Sequence, residues 1–341
     1  MSYSSLPSES YWRRCLDDPD FQLGALYRPR VRIGPEDAVA AAGSCFAQKI
    51  GRELRLSSAR FLDLEPVPHG MTERTAARLG FGLYSARYGN IYSTAQWLQL
   101  AQDAFADHLR PEAFWCKDGL WFDGLRPRLE PGGFVSRELA KAARRAHLLQ
   151  VRRMFEQASV FIFTLGLTER WQDARTGTVY PICPAAVDPA FGDAAHRFHN
   201  SRVTEVVADM EACINLLRRH NSGLRFLFTV SPVPLMATAT GGHVLLATSR
   251  SKAVLRTAVD EILHDQPMCD YFPSYELATQ NPTCRDAFAA DQREVKDAVV
   301  ERIMQAFFAA QTGLARQIAV KGQGEAAETV CDEVLLDATR R

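Results

Sequence analysis

Apolar and polar positions along the chain alternate between two kinds of run. Residues 38–42 and 159–165 are short apolar runs, as expected of buried parallel strands covered on both faces, and 224–230 reads as the next strand. Between them apolar residues recur at helical spacing. Phe46, Ile50 and Leu54 mark a helix directly after the first strand. Further helices are expected over 94–109 with Ser93 as N-cap, from Ser136 to about Gln157, from Glu205 to about His220, from about His243 to His264, and over 295–311 with Val299, Ile303 and Phe307 on one stripe. Asn221-Ser222-Gly223 closes the third of these. Residues 270–276 read as another short strand. This strand, helix, strand rhythm predicts an α/β fold, a doubly wound, mostly parallel sheet with helices on both faces.

The rest of the chain keeps neither period. Residues 1–36, with Tyr11, Trp12, Phe21 and Tyr27, read as an arm laid over a main domain at 37–315, and 316–341 as a polar, loosely held tail. Residues 65–70 and 238–242 are loops by their Pro and Gly. Residues 111–135, with Trp115, Trp121, Phe122 and a Pro-Gly-Gly turn, form an irregular insertion suited to roofing a pocket. Residues 176–180 read as a hairpin-like piece, followed by a loop carrying His196 and His199.

A chain of 341 residues with 47% hydrophobic residues can bury a large core. Forty basic and 40 acidic residues cancel, so nothing calls for a nucleic-acid or acidic-membrane partner. The first residues carry no leader pattern and no window predicts a membrane span, which places the protein in the cytoplasm. Eight scattered cysteines without a Cys-x-x-Cys pair predict free thiols over a disulfide framework or a metal site. No phosphate loop, dinucleotide fingerprint or His-Glu-x-x-His is present, so no cofactor is called for. Composition leaves the oligomeric state open.

The joint after the first strand carries the chemistry. Gly43 permits a sharp turn, and Ser44 and Cys45 stand where a strand ends and a helix begins, a place where ligands bind and negative charge is favoured. Gly43-Ser44-Cys45-Phe46-Ala47 spells the motif that names the GSCFA family, which resembles the SGNH (GDSL-like) hydrolases. Stretches at 88–93, 163–169, 229–235 and 271–276 look like the same family, in order. The resemblance implies a flavodoxin-like three-layer sandwich and a serine esterase or O-acyltransferase acting on a small ester or acylated carbohydrate.

The resemblance makes Ser44 the nucleophile, with Gly89 and Asn90 as one oxyanion loop and Gly166, Thr168 and Glu169 as the other. Thr168 stands where that superfamily has Asn. Loss of one oxyanion donor typically costs on the order of 100-fold. The superfamily's Asp-x-x-His base reads Asp291-Gln292-Arg293-Glu294 here, without the histidine. A glutamate with an ordinary pKa of about 4.3 is a weak base for serine unless burial raises it. Three ways out stay open: a different histidine (His243 first, then His69, His196 and His199), Glu294 in a dry site, or a ligand-binding or scaffold protein without hydrolysis. Cys45 is the alternative nucleophile, since a thiol at a helix start has a lowered pKa; burial against the sheet is the competing expectation. Ser231 and Glu276 end strands on the same rim, with Glu169 and Glu276 able to pair with Arg87 or Lys252. The lack of Gly-x-Ser-x-Gly excludes the α/β-hydrolase elbow.

Overall fold

The computed structural model describes residues 3–17, 23–280, 286–315 and 329–338. Phe21 of the expected arm and Cys284 lie outside them. Five parallel strands make the central sheet: β1 (Ala38–Gly43), β2 (Arg60–Phe61), β3 (Val160–Leu165), β4 (Arg225–Val230) and β5 (Cys269–Tyr271). Their spatial order is β2, β1, β3, β4, β5, so the chain runs one way from β1 to β2 and the other way from β3 onward. The reversal between β1 and β3 is the topological switch point of a doubly wound sheet, where side chains at the carboxyl ends of the strands share a crevice.

Strand periodicity assigns the two faces. Ala38, Ala40, Ala42, Phe161, Phe163, Phe226 and Phe228 join one core. Val39, Ala41, Val160, Ile162 and Leu227 join the other. The first face is covered by α2 (Thr94–Ala106), α3 (Arg137–Gln157), α4 (Val203–His220) and α5 (Val244–Asp265). Trp97 of α2 stacks on Phe163 with ring centroids 4.7 Å apart. The second face is covered by α1 (Cys45–Arg55), through Phe46, Ile50 and Leu54, and by α6 (Asp297–Ala310), through Val299, Ile303 and Phe307. Ser93 caps α2 by accepting from the Gln96 amide at 3.2 Å, and Ser136 caps α3 through the Leu139 amide at 3.2 Å.

The N-terminal segment lies against this second layer. Tyr27, Val31 and Ile33 are buried in it. The Asp270 carboxylate in β5 accepts from the Tyr27 hydroxyl at 3.0 Å and from the amides of Arg30 and Val31 at 2.8 and 3.0 Å.

Several local expectations change. Within 111–135, Phe114–Lys117 and Leu120–Asp123 pair as an antiparallel hairpin. Its Asp118-Gly119 turn has both residues at positive φ, 51° and 76°, as two-residue hairpin turns require. The loop expected around His196 and His199 is instead the strand His196–Asn200, which pairs with Glu169–Asp173 and joins Val179–Tyr180 in a second, antiparallel sheet. Trp115 stacks on Phe191 between hairpin and second sheet, at 4.8 Å, which gives these segments a small core of their own. Strand character at 270–276 covers only Cys269–Tyr271, and Ser274–Thr279 is helical. The helix at Asp297–Ala310 is not the last element, because Val334–Ala338 is helical too. Residues 331–333 are buried and do not form a loose tail.

A buried hydrogen bond between His147 and Glu65 holds the loop that precedes α2. His147 of α3 is 1% exposed, and its Nδ1 donates to the Glu65 carboxylate at 2.7 Å. That carboxylate also accepts from the Arg87 amide at 2.6 Å. Burial above all, then Arg126, pushes the His147 imidazole down to about 4. Burial alone would raise the Glu65 carboxyl, but His147, Arg126 and the Arg87 amide hold it at about 2.

Two predictions follow from these contacts. Gly43 has φ 141°, and a Cβ there would lie 2.7 Å from the Thr164 nitrogen of β3. Gly43→Ala is expected to cost about 2 kcal/mol or more, read as a lowered midpoint in thermal unfolding. His147 remains neutral in the folded protein down to about pH 4 against 6.5 in the unfolded chain. Between these values the unfolded state binds more protons, so stability present above pH 6.5 is lost as pH falls toward 4, by up to about 3 kcal/mol. His147→Gln is expected to flatten that fall, as measured by melts across the pH range.

Candidate functional site

Ser44 is built by the close approach of β1 and β3. Its amide donates to Thr164 O at 3.1 Å. As N-cap of α1 it has φ −66° and ψ 176°, yet its side chain caps nothing. The Ser44 residue is 3% exposed, and its Oγ is buried without a hydrogen-bond partner among the described residues. A buried hydroxyl left unpaired costs about 1–3 kcal/mol, so its position calls for an explanation. Opposite it, a Cβ on Gly166 would lie 3.0 Å from Ser44 Cβ, so the two strand ends meet only because Gly166 lacks one.

Ser44, Cys45, Tyr92, Gly166, Ser231 and Glu333 line one small cavity of about 10 Å³, room for about one water. Glu333 comes from the far end of the chain. The C-terminal segment enters the crevice with Cys331, Asp332 and Glu333 all buried, and a set of side chains from other elements receives it. Asn90 Nδ2 donates to Val330 O at 3.0 Å and to the Asp332 carboxylate at 2.7 Å. Asn90 Oδ1 accepts from Gln48 Nε2 at 2.9 Å and from the Tyr84 hydroxyl. Arg128 of the insertion donates to Cys331 O at 2.8 Å.

Arg293 is the buried counter-charge. Its guanidinium donates to Pro234 O at 3.1 Å, to Cys331 Sγ at 3.5 Å through both terminal nitrogens, and to the Glu333 carboxylate. Lys252 of α5, 2% exposed, donates to Gly166 O at 2.7 Å.

Burial controls the titration of these groups. It pushes the Glu333 carboxyl up to about 7 despite Arg293, the Asp332 carboxyl up to about 6 despite Asn90, and the Lys252 amine down to about 8. The two thiols are coupled. A hydrogen bond between them, first, then Arg293, pulls Cys331 down; the same hydrogen bond, first, then burial, pushes Cys45 up. The low-pKa thiol is therefore Cys331. This departs from the expectation for a thiol at a helix start, because Arg293 sits against Cys331 in the tail.

The expected bases fall elsewhere. His243 is exposed and caps α5, its Nδ1 accepting from the Leu245 amide at 3.2 Å. His69 is exposed, His199 bonds Glu205 at 2.8 Å, and His196 packs edge-on against Tyr180. All eight histidines are described, and none lines the Ser44 cavity. Asp291 is exposed and closes a turn by accepting from the Arg293 and Glu294 amides, each at 2.9 Å. Glu294 points outward, its side chain 57% exposed, and pairs with Lys49 at 3.3 Å. In that tetrapeptide the inward residue is Arg293.

The remaining rim residues divide similarly. Gly89 has φ 73° and lets the loop present Asn90. The amides of Gly166 and Leu167 both donate to Tyr92 O, at 3.1 and 3.0 Å, so neither is free for an oxyanion. Thr168 donates to Asn200 at 2.7 Å, and Ser231 Oγ accepts from the Val233 amide at 3.3 Å. The expected pairings of Glu169 and Glu276 with Arg87 or Lys252 do not form. Glu169 accepts from Thr238 at 2.6 Å and Glu276 from Arg256 at 3.1 Å, while Arg87 pairs with Glu130 at 2.8 Å.

Sequence reasoning missed Arg293, Lys252 as the buried cation that holds the Gly166 carbonyl, and the tail residues 331–333. The apolar spacing of Val330, Val334, Leu335 and Leu336 in an otherwise polar tail is the signal for the last of these.

Among the described residues no helix is long and apolar enough to cross a membrane. A search of curated proteins finds no match to the chain. The family model described as GSCFA family matches residues 38–307, from β1 through most of α6. With the motif at the switch point and this match across most of its length, the chain belongs to the GSCFA family.

Proposed function

We propose that the protein is a serine esterase or O-acyltransferase in which Ser44 is the nucleophile and Glu333 the base. One observation carries this reading: a buried, unpartnered hydroxyl at the switch point shares a cavity with a carboxyl whose pKa is raised to about 7. A base poised near the working pH is what general-base catalysis needs, and Glu333 has the dry surroundings that Glu294 lacks.

In this reading Ser44 Oγ attacks the ester carbonyl and its proton passes to Glu333. The carbon–oxygen bond to the leaving alcohol then breaks, and the alcohol takes that proton. Water or an acceptor hydroxyl attacks the acyl-enzyme in the second half, and Ser44 recovers its proton. The Ala47 amide bonds Ser44 O at 2.8 Å, while the amides of Cys45 and Phe46 precede the helix's own carbonyl partners and favour negative charge, so these two supply oxyanion donors. Asn90 Nδ2 adds another once Asp332 withdraws from it. The likeness of the motif set to SGNH hydrolases supports the same assignment of Ser44 and Asn90. Lys252 holds the Gly166 carbonyl and so keeps the strand end against Ser44.

A fluorophosphonate probe tests the nucleophile. Labelling is expected on Ser44 and is expected to vanish in Ser44→Ala but persist in Cys45→Ala; absence of labelling across a broad ester panel would favour a ligand-binding protein. Glu333→Gln is expected to lower kcat/KM for a turned-over ester by about 100-fold or more, with labelling slowed in parallel.

A further inference from the structure

Beside the Ser44 cavity lies a much larger one, of about 330 Å³, the size of a small-molecule pocket. Leu167, Leu235 and Glu333 line both, so the two cavities adjoin and share these residues as a wall. Its walls come from the second sheet through Trp171, from Ile182 and the helical turn Pro184–Val187 through Ala186, and from Leu336 of the C-terminal segment.

The charged groups along it are already engaged. Glu169 accepts from the Thr238 hydroxyl at 2.6 Å and the Ala239 amide at 3.2 Å. Arg170 donates to Ser201 at 2.8 Å and lies 3.7 Å from Asp209, and Glu333 is held by Arg293. A sugar or charged ligand here would bury hydroxyls or charge against apolar walls without fresh partners, at a cost of about 1–3 kcal/mol per unmatched group. An uncharged hydrocarbon chain gains instead from each buried methylene, about 0.8 kcal/mol.

We propose that this pocket binds the acyl chain of the ester, and that the protein selects apolar acyl groups of medium length over acetyl. The proposal deepens the Ser44 reading and rests on it for the direction of the substrate. The carbonyl lies at Ser44, the acyl chain runs past Leu167 and Leu235 toward Trp171, and the alcohol leaves on the other side.

Two measurements separate the pocket from the chemistry. Octanoate and acetate are titrated calorimetrically into Ser44→Ala protein, where no turnover can occur. Octanoate is expected to bind at least tenfold more tightly than acetate, and Ala186→Trp, which fills the pocket, is expected to remove that difference. p-Nitrophenyl acetate and octanoate are then compared as substrates, with kcat/KM for octanoate expected to be at least tenfold higher and Ala186→Trp expected to reduce the ratio at least tenfold. Equal binding of the two acids, or a ratio that Ala186→Trp leaves intact, overturns the acyl pocket even if both esters are turned over through Ser44. Selective octanoate binding with no ester turned over supports the pocket and overturns the Ser44 reading instead.

Discussion

The whole site depends on how closely the ends of β1 and β3 approach. Gly43 and Gly166 are the two positions that make room, the first at a φ that side chains rarely adopt and the second against Ser44 itself. With these strands joined at the switch point, Ser44 faces the crevice, Tyr92 ties its loop to β3 through the amides of Gly166 and Leu167, and α1 begins directly behind. A larger side chain at either glycine would separate the strands, and every other distance in the site would change with them.

Into that crevice the chain puts its own C-terminal segment, at the expense of burying charge. Asp332 and Glu333 are both acids taken out of water, and such groups persist in a protein interior only when partners meet them. Asn90 and, at 3.5 Å, the Tyr92 hydroxyl meet the first, Arg293 the second. Arg293 also lowers the pKa of Cys331, so one guanidinium organises two residues of the tail. The segment thus finishes the site, supplying a carboxyl next to Ser44 and a wall of the larger pocket, and it fills the crevice closely enough that the space at Ser44 holds about one water.

Much of the architecture was legible because it depends on local periodicity. The runs at 159–165 and 224–230 are mostly apolar and emerged as central strands, and Ser93 and Ser136 mark helix starts that the structure keeps. The hairpin Phe114–Asp123 was not legible, because its closely spaced aromatic residues obscure any period and only the Asp118-Gly119 pair marks its turn. The strand at His196–Asn200 was not either, since its polar, half-buried residues are set by pairing with Glu169–Asp173, a partner more than twenty residues away.

The sequence by itself determined the doubly wound sheet and the presence of a small-residue joint at Ser44, because both follow from neighbours in the chain: hydrophobic period, glycine, and the start of a helix. Only the tertiary structure decided which acid stands beside that hydroxyl. Glu294, near the expected base position, turns outward to Lys49, while Glu333, from a tail whose polarity suggests looseness, is carried in by contacts with Arg293, Asn90 and Arg128. Burial and charge at a site are sums over residues distant in sequence, and no local pattern records them.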